Sequence, residues 1–204
     1  PDVEYEAVKG KLADWQQTSQ KLLSQPEVKA AAPYIKLNAM VQKQQELEAV
    51  VVHAVEPELE QLVNKTTQLI RQGQWLTTEP GAVIGQGLAD KMQWQVADNI
   101  EILVPYTLKS GKLGTPKYLR LPVVGIYQVG GQMDYGQVYI QLSQLQRLFG
   151  WSPEEAEGIK VELHDPFSAN YLARQVGRYL TDYVYVLDWY RSNGHIYNDI
   201  VMVK

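Results

Sequence analysis

Residues 82–90 read Ala-Val-Ile-Gly-Gln-Gly-Leu-Ala-Asp, and the fold turns on how that stretch is understood. An apolar run leads into two glycines and then a helix start. Gly85 and Gly87 match the first two glycines of a dinucleotide-binding turn, whose third small residue falls at position 90. Asp90 stands there instead. Its side chain would crowd the helix–strand contact and set a negative charge beside a pyrophosphate. The simpler reading is a glycine turn joining a short strand to a short helix, in a mixed α and β fold without a nucleotide site.

Downstream of this step, short strands recur at residues 82–84, 100–106, 118–127 and 137–140, with turn signals between them. A short helix over 88–93 sits among them. Ser143 with Gln146 is placed to cap another helix that runs to Phe149. The flanks have a different texture. Residues 3–8 alternate with period 2, as a half-buried strand does. Asp14 with Gln17 forms a capping box for a helix carrying Trp15, Leu22 and Leu23. Residues 32–41 and 47–55 read as a hairpin around polar residues 42–46. Pro57 opens a helix with Leu59, Leu62, Val63, Thr66, Leu69 and Ile70 at helical spacing, and Gly73 ends it. Residues 158–163 form a strand. Asp165-Pro166 starts a helix with Phe167, Tyr171, Leu172 and Val176 inward. A strand over 183–187 precedes a helical segment from Trp189 to Lys204. The expected fold class is α+β with two subdomains. Residues 1–56 and 157–204 make an α/β unit from both chain ends, and residues 57–156 make an inserted β-rich unit.

Composition narrows the functions. At 204 residues the chain can bury roughly 70% of its unfolded surface and needs no staple. The absence of cysteine excludes a disulfide scaffold, a thiolate metal site and a cysteine nucleophile. A net charge of −4 argues against nucleic acid, whose affinity comes from clustered Lys and Arg. The longest apolar stretch, residues 49–55, is interrupted by His53 and falls far short of the about 20 residues of a spanning helix. No signal peptide is evident. His53, His164 and His195 have no i, i+4 metal spacing. Nucleophile-elbow, S-x-x-K and phosphate-loop motifs are missing, and paired acids such as Glu154 and Glu155 read as solvated surface. No catalytic residue, metal or cofactor is expected. The cluster Tyr183, Tyr185, Trp189 and Tyr190 lacks an interleaved basic stripe and reads as core. Residues 106–118 are longer than a tight hairpin and carry Leu108, Lys109, Lys112, Leu113, Pro116 and Lys117, which reads either as a floppy connection or as a contact loop.

Several phrases together resemble the extracytoplasmic domain of the lipoprotein-releasing ABC transporter permeases, a domain shared with macrolide-exporter permeases. They are residues 3–8, Ala30-Ala31-Ala32-Pro33-Tyr34-Ile35, residues 83–89, residues 119–126, Gly131-Gln132-Met133-Asp134-Tyr135, residues 165–170, Tyr183-Val184-Tyr185-Val186 with Trp189, and residues 197–202. Their order covers nearly the whole chain. The Gly-Gln-Met-Asp-Tyr phrase and the Tyr-Asn-Asp-Ile ending are nearer the E-type than the C-type subunit. In the C-type subunit the loop matching 106–118 forms a hook that captures the periplasmic carrier LolA; here it is rich in lysine and glycine with one proline, Pro116. The resemblance implies a porter-like α/β unit with a sabre-like β insert, in the periplasm of a Gram-negative bacterium. It implies membrane helices just before Pro1 and just after Lys204, a partner permease subunit LolC or a second permease copy, a cytoplasmic ATPase subunit LolD, lipoprotein as cargo and, indirectly, the carrier LolA. Contact to lipoprotein or partner is expected at Leu108, Lys109, Lys112, Leu113, Pro116, Met133, Asp134 and Tyr135. Mechanical coupling to membrane helices is expected through Trp189, Tyr190, Tyr197 and Met202. The rival expectation is a macrolide-exporter-type domain that contacts an adaptor protein.

Overall fold

A computed structural model describes residues 2–106, 108, 110–168, 180, 184–188 and 201–203. In chain order its elements are β1 (Val3–Ala7), α1 (Trp15–Leu23), β2 (Val28–Lys43), β3 (Glu46–Val55), α2 (Pro57–Val63), β4 (Ile70–Gly73), β5 (Ala82–Gly85) and α3 (Gln86–Met92). There follow β6 (Asn99–Val104), β7 (Lys117–Tyr127), α4 (Met133–Gly136), β8 (Gln137–Gln141), α5 (Leu142–Phe149), β9 (Gly158–Leu163), β10 (Val184–Asp188) and β11 (Val201–Val203). The α+β class expected from the sequence is the class observed. The chain divides into two compact units: Pro1–Ile35, Glu58–Asn64 and Phe149–Lys204 make the first, and Lys36–Pro57 with Lys65–Leu148 make the second. These cuts differ from 56 and 157 because β2 is one long strand that exchanges β9 for β6 as partner along its length.

The first unit is built on an antiparallel sheet in the order β11-β10-β1-β9-β2. Tyr5 of β1 lies opposite Val186 on one side and Ile159 on the other. Asp14 caps α1 by accepting from the Gln16 and Gln17 amides at 3.1 and 3.2 Å. Trp15, Thr18, Ser19 and Leu22 turn inward with the helical period. Helix α2 packs Val63 and Leu59 onto Ala30 and Ala32 of β2, which explains the alanine run: larger side chains there would lift the helix off the strand. Beneath α2 lies a buried ion pair. Lys160 Nζ donates to Glu60 Oε1 and Oε2 at 3.0 and 2.8 Å, and both side chains are almost entirely enclosed.

A weaker pair sits at the surface of this unit. Ser152 N–H donates to Glu155 Oε1 at 2.9 Å, and Lys11 pairs with the other oxygen. The Lys11 ammonium first, then the Ser152 amide, hold the Glu155 carboxyl below the ordinary carboxylate range. A carboxyl lowered in the folded state contributes stability that is complete above its unfolded value and is lost as pH falls through its folded value. Glu155→Gln should therefore cost under about 1 kcal/mol at pH 7, since water screens the pair. The cost should shrink toward nothing at an acid pH below the folded value, where both forms are uncharged. Urea midpoints at the two pH values check this.

The second unit is a closed ring of strands. Going round, the second half of β2 pairs with β3, β3 with β8, β8 with β5, β5 with β7, β7 with β6, and β6 with β2 again. The β2–β3 hairpin turns through Gln44 and Gln45, Gln44 having φ 54°. Strand β7 has two sets of partners: its first half lies against β6, its second against β5 and β4. Ile100, Ile102 and Val104 alternate inward along β6, as barrel strands require. A satellite cluster holds Val55, Trp75, Leu76, Val83, Tyr127 and Tyr139, and Trp75 Nε1 donates to the Pro57 carbonyl at 2.9 Å. His53 stacks on Tyr139 at 4.9 Å and meets Gln137 Oε1 through Nε2, a partnered sheet histidine.

Four expectations need correction. The helix read from Pro57 to Gly73 ends at Val63 and is followed by a 3₁₀ turn at Lys65–Gln68 and strand β4. The β-branched pair Thr66-Thr67 propagates a helix poorly, and Gly73, at φ 71°, lies against the Val124 carbonyl of β7. Helix α5 begins at Leu142, so Ser143 lies inside its first turn and is not its cap. Phe167 is 74% exposed rather than inward, because Asp165 caps a short 3₁₀ turn there. Val201–Val203, expected to end a helix, form strand β11 paired with β10, as their β-branched alternation favours; residues 189–200 of that expected helix lie outside the described residues. The expected helix body over 169–179 lies outside the described residues.

Candidate partner-contact surface

The segment between β6 and β7 is a hydrogen-bonded hairpin extension. Gly114 N–H donates to the Tyr106 carbonyl and Leu108 N–H to the Lys112 carbonyl, both at 2.8 Å. Gly111 N–H donates back to the Leu108 carbonyl at 2.9 Å, closing a turn in which Gly111 takes φ 82°. This framework presents apolar side chains to solvent: Leu113 is 82% exposed and Leu108 is 43% exposed. Lys112 and Pro116 are exposed beside them.

A second segment, between β7 and β8, presents Met133 and Tyr135, 42% and 51% exposed. Asp134 between them is buried. Its two carboxylate oxygens accept the Val129 and Gly130 amides at 2.8 and 3.0 Å. It therefore shapes the loop from within, correcting the expectation that it offers itself to a partner. The Tyr127 hydroxyl lies 2.7 Å from the carbonyl oxygens of Met133 and Gln137. Burial foremost, then Tyr139 and Asp134, raises that phenol, so it stays a neutral donor.

The same segment explains the two glycines of residues 82–90. A Cβ on Gly85 would stand 2.1 Å from the Asp134 carbonyl oxygen, and one on Gly87 would stand 2.8 Å from the Tyr135 ring. The space a phosphate cradle would leave open is filled by residues 134 and 135. These glycines exist for close packing.

An apolar groove of about 360 Å³ is lined by Ala39 and Met40 of β2, Val50 and Val51 of β3, Pro105, and Gly136 with Gln137. Pro105 precedes the first segment in the chain and Gly136 follows Tyr135 of the second. Asn38 and Ala49 complete the groove, and no charged residue lines it. Sequence reasoning found the two segments and missed this hairpin face. The available signal was the pair of apolar runs at 39–41 and 49–52, which fail to alternate and so place apolar side chains on both faces.

Leu108, Lys112, Leu113, Pro116, Met133 and Tyr135 thus lie on two segments of the second unit, and none of them lines the groove. Lys109, Trp189, Tyr190 and Tyr197 lie outside the described residues. Met202 stands in β11 opposite Tyr185. Among the described residues no cluster of His, Asp and Glu could hold a metal ion, and no helix is long and apolar enough to cross a membrane.

The chain belongs to the MacB-like periplasmic core domain family, which it matches over residues 5–179. It is 28% identical over 195 residues to the lipoprotein-releasing system transmembrane protein LolE of Haemophilus influenzae, covering 93% of this chain and 46% of that protein. It is also 28% identical over 196 residues to LolC of Xylella fastidiosa strain 9a5c, covering 94% and 46%. The chain thus spans about half the length of these relatives. Its fold is similar to the extracellular domain of the ABC-type transporter YknZ from Gram-positive bacteria, with a TM-score of 0.58, 11% identity and coverage of 86% and 89%. It is similar also to the periplasmic region of MacB from Actinobacillus actinomycetemcomitans, with a TM-score of 0.55, 9% identity and coverage of 91% and 87%.

Proposed function

We propose that this chain is the periplasmic domain of a LolE-type permease subunit in an inner-membrane ABC transporter. That transporter releases lipoproteins from the membrane and hands them to the carrier LolA. The observation that carries this reading is the similarity over 93% of the chain to a lipoprotein-releasing protein. The domain is non-catalytic: a separate ATPase subunit, LolD, supplies energy, and LolC is the partner permease. Strands β1 and β10, from opposite ends of the sequence, pair side by side in the first unit. Membrane helices attached on both sides would pull on one sheet, with Trp189, Tyr190, Tyr197 and Met202 carrying the movement. Leu108, Leu113, Met133 and Tyr135 are the contact side chains. Exposed apolar side chains suit an apolar partner surface.

Photo-crosslinking amino acids at these four positions in the assembled transporter test this. Adducts to lipoprotein, LolA or the partner permease are expected at two or more positions. Adducts only to an adaptor protein would move the chain to the macrolide-exporter type, and no adduct at any position would end the contact reading.

A further inference from the structure

Lys117, the first residue of β7, does more than begin a strand. It lies opposite Val104 in the register, at the foot of the exposed hairpin. Its ammonium sits 4.4 Å from the centroid of the Tyr106 ring, within cation–π range. Its Nζ also donates to the Leu148 carbonyl at 2.8 Å. That carbonyl is in the last turn of α5, where unsatisfied oxygens and the helix dipole favour a cation. Tyr106 in turn covers Gly114: a Cβ there would be 2.9 Å from the tyrosine ring and 3.3 Å from the Leu108 side chain. A continuous stack therefore runs from the end of α5 through Lys117, Tyr106 and Gly114 to Leu108.

We infer that Lys117 is a positioning residue, which fixes the direction of the exposed hairpin by tying its foot to the end of α5. The backbone bonds within the hairpin hold its local shape. They do not aim it, since they join only its two arms to each other. The Lys117 cation reaches from those arms to a separate element, α5. Its consequence for partner capture rests on the contact reading above; the positioning itself does not.

The chain has no cysteine, so Leu113→Cys gives a single site for a nitroxide label. In that background Lys117→Met removes the charge and keeps the aliphatic stem, and Lys117→Arg keeps a cation that can stack and donate. Label mobility at 113 should rise in the methionine variant and return toward the parent value in the arginine variant. In unlabelled protein, exchange of the Leu108 and Gly114 amides should quicken at least tenfold in Lys117→Met, with the Ile100 and Ile102 amides of β6 unchanged. Unaltered mobility and exchange would overturn the inference, as would equal quickening in β6 or failure of arginine to restore order. Crosslinking from position 113 in the assembled transporter is a separate arm. Loss of hairpin order in Lys117→Met, with no crosslink from position 113 even in the parent, sinks the contact reading and leaves the positioning role standing.

Discussion

Lys160→Met should cost the first unit about 3–5 kcal/mol, because it leaves the enclosed Glu60 carboxylate without its counter-charge. In a chain of this size that is a fall of roughly 6–20 °C in the unfolding midpoint. The geometry allows little relief. Both Glu60 oxygens take their bonds from the one ammonium, and α2 is held down on Ala30 and Ala32 by Val63 and Leu59. The informative control is the double variant Lys160→Met with Glu60→Leu. Replacing both charges by apolar groups of similar size is often neutral or stabilising, so the double variant should recover most of the loss. If the double variant is as unstable as the single, the pair matters for shape rather than charge. If the single is as stable as the parent, the carboxylate is not enclosed as described. Calorimetry on the three variants decides between these.

Gly85→Ala should cost about 3 kcal/mol, at the upper end of what overpacking a tight site brings. Its Cβ would have to displace the Asp134 carbonyl, which is backbone and cannot swing aside. The nearest atoms to a Cβ in Gly87→Ala belong to the half-exposed ring of Tyr135, a side chain that can rotate outward. That substitution should cost less than half as much and increase the exposure of Tyr135. Urea midpoints give the two costs, and tyrosine resonances report the ring. A neutral Gly85→Ala would mean that the glycines answer to something other than residues 134 and 135. The ranking separates packing from phosphate binding, which would leave both alanines harmless to stability.

How far the sequence reveals this molecule depends on how local each feature's cause is. Strand β9 is legible because an apolar alternation is bounded by Gly158 and by the Asp165-Pro166 step. The cap of α1 is legible because Asp14 and the amides it satisfies lie within three residues. Strand β4 is hidden: its pairing energy comes from β7, more than fifty residues on, while its own residues continue a helical spacing. Ring closure is hidden for the same reason, since β2 meets β6 only through Met40, Val41 and Gln42 against residues 101–103. At the candidate surface, the exposure of Leu108 and Leu113 could be read from leucines set among lysines and glycines without periodic apolar neighbours. The groove could not. Whether Met40 and Val51 look outward depends on which face of the hairpin the other strands cover. Asp134 was misread because its amide partners come from a reversal of the chain that residue type alone does not announce.

The place of β1 sets an order of folding. Its buried Val3, Tyr5 and Ala7 lie between β9 and β10, so their neighbours are made more than a hundred and fifty residues later. At ordinary translation speed that delay is on the order of ten seconds. The segments of the second unit, Lys36–Pro57 and Lys65–Leu148, precede β9 in the sequence. A chain cut after residue 150 thus holds every strand of the ring and leaves β1 without either neighbour, an apolar strand whose exposure ends only when β9 is there to pair with it.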